Sequence, residues 1–403
     1  MRTALAAVVA AGLLAAGGAA SAQTPFAMQN LGQRIVPDDA RMTARGFGMT
    51  VTDSLHPGFK NVASLAALHH VAIKFTAYGE NGDHEDASGR RETYNTYVPD
   101  IRVGLPVRKG RLAVTAGFSV FRAEHFQTRV DTTWEAFGET IIGNHQFVRE
   151  GSLYTVPLGV AWQPVGGISV SATLNLVRGA TRDAAADFFR LPAAGPRPFY
   201  QPNSVVSEDE FSGTSTTFGA LLAPGRRLRL AAGWTPAYTL DVVNETVLQG
   251  VAARTPTSYS LSMPAEYRLG AELGLFGRWR VGGDAFYASY TELAGRADWE
   301  PAMEDEYAWS AGLERIQARE RRGGAGNLPL RLSAGYRRWA YAIGGQPVDE
   351  WTWAGGTGFP FRGDMGQLDL AISHSRIGGL QENGHESSVW RLTVSVTGLE
   401  RWW

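Results

Sequence analysis

From about His70 to the C-terminus, apolar and polar residues alternate one by one in segment after segment. Successive side chains on a strand point to opposite faces, so each such segment has one greasy wall and one wet wall. Ile168, Val170, Ala172, Leu174 and Leu176 point one way, and Ser169, Ser171, Thr173 and Asn175 the other. Tyr267, Leu269, Ala271, Leu273 and Leu275 alternate with Arg268, Gly270, Glu272 and Gly274, and Trp390, Leu392, Val394 and Val396 with Arg391, Thr393, Ser395 and Thr397. The period dictates antiparallel sheet. By itself it leaves open a soluble sandwich, apolar face inward, and a membrane barrel, apolar face outward.

Connection lengths separate the two. Short turns rich in Gly, Pro and basic residues occur at 107–110, 164–167, 223–226, 276–278 and 362–366. Between them lie long polar or irregular stretches, including 79–96, 123–152, 179–210 and 241–264. Short turns on one rim and long loops on the other are the habit of outer-membrane barrels. The breaks predict about fourteen strands, at 71–78, 97–106, 111–122, 153–163, 167–178, 212–223, 227–238, 265–275, 279–291, 306–316, 329–341, 351–361, 366–376 and 388–397. The number is even, and most of the segments approach the 9 to 11 tilted residues that cross a bilayer. The alternation is interrupted near Trp309 and across 317–327. The expected fold is an all-β transmembrane antiparallel barrel with an N-terminal plug.

Composition agrees. After Gln23 no run approaches the roughly 20 apolar residues of a membrane helix, and the mean hydropathy of -0.17 suits a barrel that is polar inside. The 12 Trp, 13 Tyr and 18 Phe are suited to interfacial girdles. A net charge of -1 gives no reason to expect nucleic acid as a partner. The absence of cysteine excludes disulfides and thiolate chemistry.

Three regions are expected. Residues 1–22 read as a secretory signal peptide: Met1-Arg2-Thr3, a small-apolar run from Ala4 to Ala20, and a cut after Ala22. Residues 23–69 carry Pro25, Pro37 and Pro57 and do not alternate, so they read as a plug for the lumen or as a periplasmic tail. Residues 70–403 form the barrel. The chain ends Gly398-Leu399-Glu400-Arg401-Trp402-Trp403, an aromatic finish of the kind that barrel insertion machinery reads, with Trp402 in phase with Trp390 and Trp403 out of phase.

Almost the whole mature chain resembles the FadL family of outer-membrane transporters for long-chain fatty acids and other hydrophobic compounds. The N-terminal part, from Phe47-Gly48-Met49 through Asn61-Val62-Ala63-Ser64-Leu65, is similar to that family's plug, with Val62 where the family has proline. Val98-Pro99-Asp100-Ile101, Leu158-Gly159-Val160-Ala161-Trp162, Leu228-Arg229-Leu230-Ala231-Ala232-Gly233-Trp234, Met263-Pro264-Ala265-Glu266-Tyr267-Arg268-Leu269-Gly270, Asp284-Ala285-Phe286-Tyr287 and Leu332-Ser333-Ala334-Gly335-Tyr336 resemble its hairpins in order and spacing. The resemblance implies passive uptake of a hydrophobic small molecule, a fatty acid or aromatic hydrocarbon, through an extracellular groove, the lumen and a lateral gap. Burial of each methylene contributes about 0.8 kcal/mol to such capture.

Site candidates follow. Asn61, Ala63 and Leu65 belong to the plug. Phe188, Phe189, Leu191, Phe199 and Tyr200 form an exposed apolar cluster that either lines the capture groove or packs onto the rim, with 241–264 as the neighbouring loop. Arg227, Arg229, Arg268, Arg280, Arg331 and Arg391 share the polar phase with Glu272, Asp284 and Asp369, either as an ion-pair network holding the plug or with one arginine kept for a substrate carboxylate. Gly117 marks a kink at the lateral gap.

No enzyme, metal or cofactor is expected. His56, His69, His70, His84, His125, His145, His374 and His385 form no H-E-x-x-H motif, and there is no G-x-S-x-G elbow. Outer-membrane lipid and the barrel insertion machinery are the other expected partners. The rival to transport is a FadL-like barrel that serves as a scaffold or component of a secretion or surface-attachment complex.

Overall fold

The computed structural model describes residues 26, 32–35, 38–53, 57–87, 89–136, 139–190, 203–225, 227–248, 255–291, 303–316, 328–361 and 365–400. The predicted signal peptide, Trp402 and Trp403 lie outside them.

Fourteen antiparallel strands close into a barrel. They are β1 (Val71–Asp86), β2 (Gly89–Arg108), β3 (Leu112–Ala136), β4 (Glu139–Val165), β5 (Ile168–Arg190), β6 (Asn203–Leu222), β7 (Leu228–Thr235, resuming as Tyr238–Leu248), β8 (Thr257–Met263, resuming as Glu266–Gly274), β9 (Trp279–Ala288), β10 (Glu306–Arg315), β11 (Leu330–Ile343), β12 (Gln346–Phe361), β13 (Gly366–Gly379) and β14 (His385–Glu400). Each pairs with the next, and β14 returns to β1 with a ladder from Glu400↔Val71 to His385↔Asp86. The breaks in β7 and β8 face each other at Pro236 and Pro264, since Thr235 pairs with Glu266 and Tyr238 with Met263. Proline has no N–H to give to a ladder, so two adjacent strands are interrupted at one height.

The side chains are arranged inside out. On β5, Ile168 and Leu174 are 41% and 44% exposed, whereas Ser169 and Thr173 are 6% and 4%. That distribution excludes the sandwich and suits a bilayer around the wall. An aromatic row follows the outer face, with Phe218↔Trp234, Trp234↔Tyr267 and Tyr267↔Tyr287 directly paired. It continues through Trp309↔Tyr336↔Trp351 and then Trp353↔His374↔Trp390. A lower set, Trp162, Phe276 and Phe361, lies at the rim of the short turns. From Trp353 to Phe361 is about 26 Å of strand, or about 20 Å of height at barrel tilt, against an apolar band of roughly 25 Å.

All fourteen predicted strands exist, but the predicted long loops are corrected. Residues 79–86, 89–96, 123–136 and 139–152 are strand, as are most of the described residues of 179–210 and 241–264; β3, β4 and β5 run for 25, 27 and 23 residues. These extensions rise beyond the upper aromatic row. With no hydrocarbon beside them they need no greasy face, so the sequence loses its alternation while the backbone pairing goes on.

The N-terminal segment packs inside the barrel. Its helix α1 (Ala40–Arg45) starts at Asp39, whose side chain accepts from Met42 N, and stops at Gly46 with φ of 72°. A 3-10 turn, Val62–Ala67, starts at Asn61 in the same way. Phe26, Phe47, Met49 and Leu65 are buried between plug and wall.

Candidate functional site

The plug is tied to the wall by buried ion pairs. The Arg45 guanidinium on α1 lies 2.7 Å from Glu272 on β8 and 2.8 Å from Glu314 on β10. Glu272 also accepts from Arg229 at 2.7 Å, Arg280 at 3.0 Å and Thr50 Oγ1 at 3.0 Å. Glu314 accepts from Arg41 and Arg331, each at 3.0 Å, and Arg331 goes on to Asp369 at 2.7 Å. Each carboxylate therefore meets several guanidinium groups, which is the multiple pairing that buried charge requires.

Two further ties flank this one. Asp284 accepts from Gly48 N at 2.7 Å and Met49 N at 3.2 Å, and Lys60 Nζ stands 3.3 Å from it and 2.9 Å from Asp38. Lys74 of β1 pairs with Asp39, so one carboxylate caps α1 and anchors it. Burial by itself would raise the Asp39 carboxyl; the Lys74 ammonium and the Met42 N–H outweigh it and hold the group below the ordinary carboxylate range. At Asp38 burial wins over the Lys60 ammonium and pushes the carboxyl up. Higher in the lumen Arg34 pairs with Glu266 at 2.8 Å, and Glu306 with Arg337 at 2.7 Å.

Close backbone approach completes the seat. A Cβ on Gly312 of β10 would lie 2.2 Å from Arg45 O, and one on Gly219 of β6 would lie 2.6 Å from Asn61 Oδ1. The Asn61 amide donates to Met49 O and Ala220 O, both at 3.1 Å, which joins plug to β6. Between the plug and the wall lies a cavity of about 380 Å³. One part of its lining carries Ser171, Thr173, Asn175, Ser215, Thr217 and Thr235, another the charged groups Arg34, Glu266, Arg268 and Glu306, and a third the apolar side chains of Ile35, Met49, Phe59, Phe121 and Phe286.

Of the predicted lumen residues, Arg229, Glu272, Arg280, Asp284, Arg331 and Asp369 lie in the plug–wall network. Arg268 pairs with Glu266, and Arg391 with Glu80 of the wall. Arg227 does not join them, because it sits exposed in the turn before β7. Asn61 caps the 3-10 turn, and Ala63 and Leu65 are buried in it. Phe188 and Phe189 are neighbours on β5, paired with Asn144 and Gly143, so they point to opposite faces rather than into one groove. Leu191, Phe199 and Tyr200 lie outside the described residues. Gly117 is paired with Arg102 of β2, where a Cβ would lie 2.3 Å from Ile101 O, and the β3–β4 ladder skips it between Ala116↔Leu158 and Ser119↔Thr155.

Sequence reading missed Glu314, Glu306, Glu266 and Lys74 on the wall and Arg41 and Arg45 on the plug. Glu306 and Glu314 do stand in the polar phase of β10, opposite Trp309 and Leu313, and that phase was their signal. Among the described residues no cluster of His, Asp or Glu could hold a metal ion.

A closed, inside-out barrel with an internally ion-paired plug defines the class: a plugged β-barrel with the architecture of the outer-membrane FadL proteins. A family model described as BamG matches residues 2–403, and the chain belongs to that family. Among solved structures it is similar to a FadL homologue from Pseudomonas aeruginosa at 12% identity and a TM-score of 0.60, covering 91% of this chain and 99% of that one. It is similar to the toluene transporter TodX of Pseudomonas putida at 14% identity and 0.55, over 92% and 99% of the two chains. It is also similar to the toluene transporter TbuX of Ralstonia pickettii at 12% and 0.56, over 91% and 98%. At these identities the likeness is one of fold. No curated protein matches the chain.

Proposed function

We propose that the chain, exported to the outer membrane of a diderm bacterium by its first 22 residues, works as a non-catalytic component of the barrel insertion machinery. Its membership of the BamG family supports that assembly as its setting. The observation that carries the reading is the double anchoring of Arg45 to Glu272 and Glu314, with neither Arg45 nor Glu314 more than 1% exposed. A conduit needs a plug that yields, and a hydrophobic solute needs apolar walls. Here the plug is held by charge at three places, and the cavity against it mixes apolar side chains such as Ile35, Met49, Phe59 and Phe286 with hydroxyls and ion pairs, so only part of it suits a hydrocarbon. Uptake of fatty acids or aromatic hydrocarbons is therefore the weaker reading, although it shares the fold.

The test is isolation of the tagged full-length protein from native membranes in mild detergent, with the central barrel of the insertion machinery quantified in the eluate. The purified barrel is titrated in parallel with a long-chain fatty acid, followed by tryptophan fluorescence. Stoichiometric co-isolation without saturable fatty acid binding is expected. Saturable binding with no co-isolation would return the protein to transport.

A further inference from the structure

Arg45, Arg229, Arg331 and Arg391 meet carboxylates in the lumen, and Arg90, Arg182 and Arg376 meet them on the strand extensions above the bilayer. The rim of the short turns is built differently. Arg108 and Arg111 flank the β2–β3 turn, Arg227 ends the β6–β7 turn, Arg278 lies in the β8–β9 turn and Arg315 closes β10. Among the described residues none of these five forms an ion pair, and the one acidic residue at this rim is Glu400, the last of β14. Arg278 Nη1 and Arg315 Nε are buried without a hydrogen-bond partner among the described residues. A row of cations that the chain itself leaves uncompensated calls for counter-charge from outside the molecule.

Exposed apolar side chains stand between the charges. Val107 precedes Arg108 and is 62% exposed, Val165 at the β4–β5 turn is 56% exposed, and Phe276, two residues before Arg278, is 76% exposed. Trp279 is the ladder partner of Arg315. These groups lie at the height of the lower aromatic set, where the hydrocarbon ends and the headgroups begin. Arginine placed there lays its stem along apolar surface and sends its guanidinium to the polar layer.

We infer that the short-turn rim is a collar for the anionic phospholipids of the periplasmic leaflet, whose phosphate groups take the place of the missing carboxylates. Guanidinium and phosphate are matched in charge and in hydrogen-bond geometry. A free anion would engage one turn at a time, whereas the charges are spread over the β2–β3, β6–β7 and β8–β9 turns and the end of β10. An acidic protein surface in water would supply charge and leave Val107, Val165 and Phe276 without apolar surroundings. A lipid annulus meets both requirements at every turn, with phosphate at the level of the arginines and acyl chain beside the apolar tips. Attraction of this kind grows with the number of basic residues near the surface and is screened by salt.

The test uses the full-length protein in liposomes of equal phosphatidylglycerol and phosphatidylcholine, with a spin-labelled form of each lipid reporting which is held at the barrel surface. Phosphatidylglycerol is expected to associate about three times as strongly as phosphatidylcholine at low salt, and the preference to fade towards about 1 M salt. Arg108→Gln/Arg111→Gln/Arg227→Gln/Arg278→Gln is expected to abolish the preference, and Arg90→Gln/Arg182→Gln on the outer extensions to leave it unchanged. Inorganic phosphate is expected to release no more lipid than chloride at equal ionic strength. Equal association of the two lipids with the parent protein, a preference that survives in the rim variant or is lost equally in the outer one, or selective release by phosphate overturns the proposal. Loss of protein co-isolation in the rim variant, with no lipid preference in the parent, would give the rim to an acidic protein instead. The inference stands on the charge of the turns and is independent of whether the barrel serves the insertion machinery.

Discussion

Arg45 donates to Glu314 Oε2 across 2.8 Å from the plug helix to the wall, and the two side chains are 0% and 1% exposed. Removal of one partner of such a pair leaves charge uncompensated, and Glu314 and Glu272 would face it together. Arg45→Ala is expected to weaken plug seating by about 3 kcal/mol, the low end for a broken buried pair because Arg41, Arg229 and Arg331 remain. Frequent channel openings in planar bilayers, absent from the parent protein, would report it.

Gly219 and Asn61 form a second, steric pair. Gly219→Ala places a methyl 2.6 Å from Asn61 Oδ1 and 2.5 Å from Ser171 Oγ, so the plug must shift. Asn61→Ala by itself loses a helix cap, about 1 kcal/mol, and two bonds to backbone carbonyls. The double variant is expected to be more stable than the sum of the two predicts, since loss of the Asn61 amide relieves one of the new methyl's two close contacts, that with Ser171 Oγ remaining. Thermal unfolding of the four proteins gives the coupling.

The wall was legible in the sequence, and so were Glu272, Asp284 and Arg331 on its side of the plug seat; the plug's own side was not. Ile168 to Leu176 alternates because hydrocarbon lies on one side and water on the other, and the same cause repeated fourteen times gave the strand number. Above the bilayer the cause disappears, so β3 and β4 run on through residues 123–152 with nothing in the side chains to mark them. Helix α1 has six residues, too few to show a period, and so Arg41 and Arg45 looked like any other charges. Their partners lie on β8 and β10, more than 200 positions away, and only closure of the barrel brings them near.

Acid should loosen the plug through Asp39. Its carboxyl is held below the ordinary value of 3.8, so the stability that it contributes is fully present above that pH and is lost as pH falls through the depressed value. Asp38 acts with the opposite sign, because its carboxyl is raised and protonation relieves it. Exchange of the α1 amides between about pH 2 and 6, corrected for intrinsic rates, is expected to show a loss of protection at the acid end that Asp39→Asn removes.

The two faces of β5 should respond differently to charge. Leu174, 44% exposed and midway between the aromatic zones, faces lipid, whereas Thr173 faces the lumen. Leu174→Arg is expected to cost about 2–4 kcal/mol of folding stability in liposomes. Thr173→Asn should be tolerated, because water and hydroxyls surround it. Equal costs at the two positions would contradict the assignment of faces.

The ladder between β14 and β1 joins residues about as far apart as the chain allows, Val71 with Glu400 and Asp86 with His385. Until its last strand is made, the growing polypeptide has two open edges and no interior, and Arg45 has met neither Glu272 nor Glu314. Such a contact order makes closure the late, slow event of folding, with the entropy of a loop of more than 300 residues opposing it. A product cut short near residue 384 would lack the closing strand and keep two open edges.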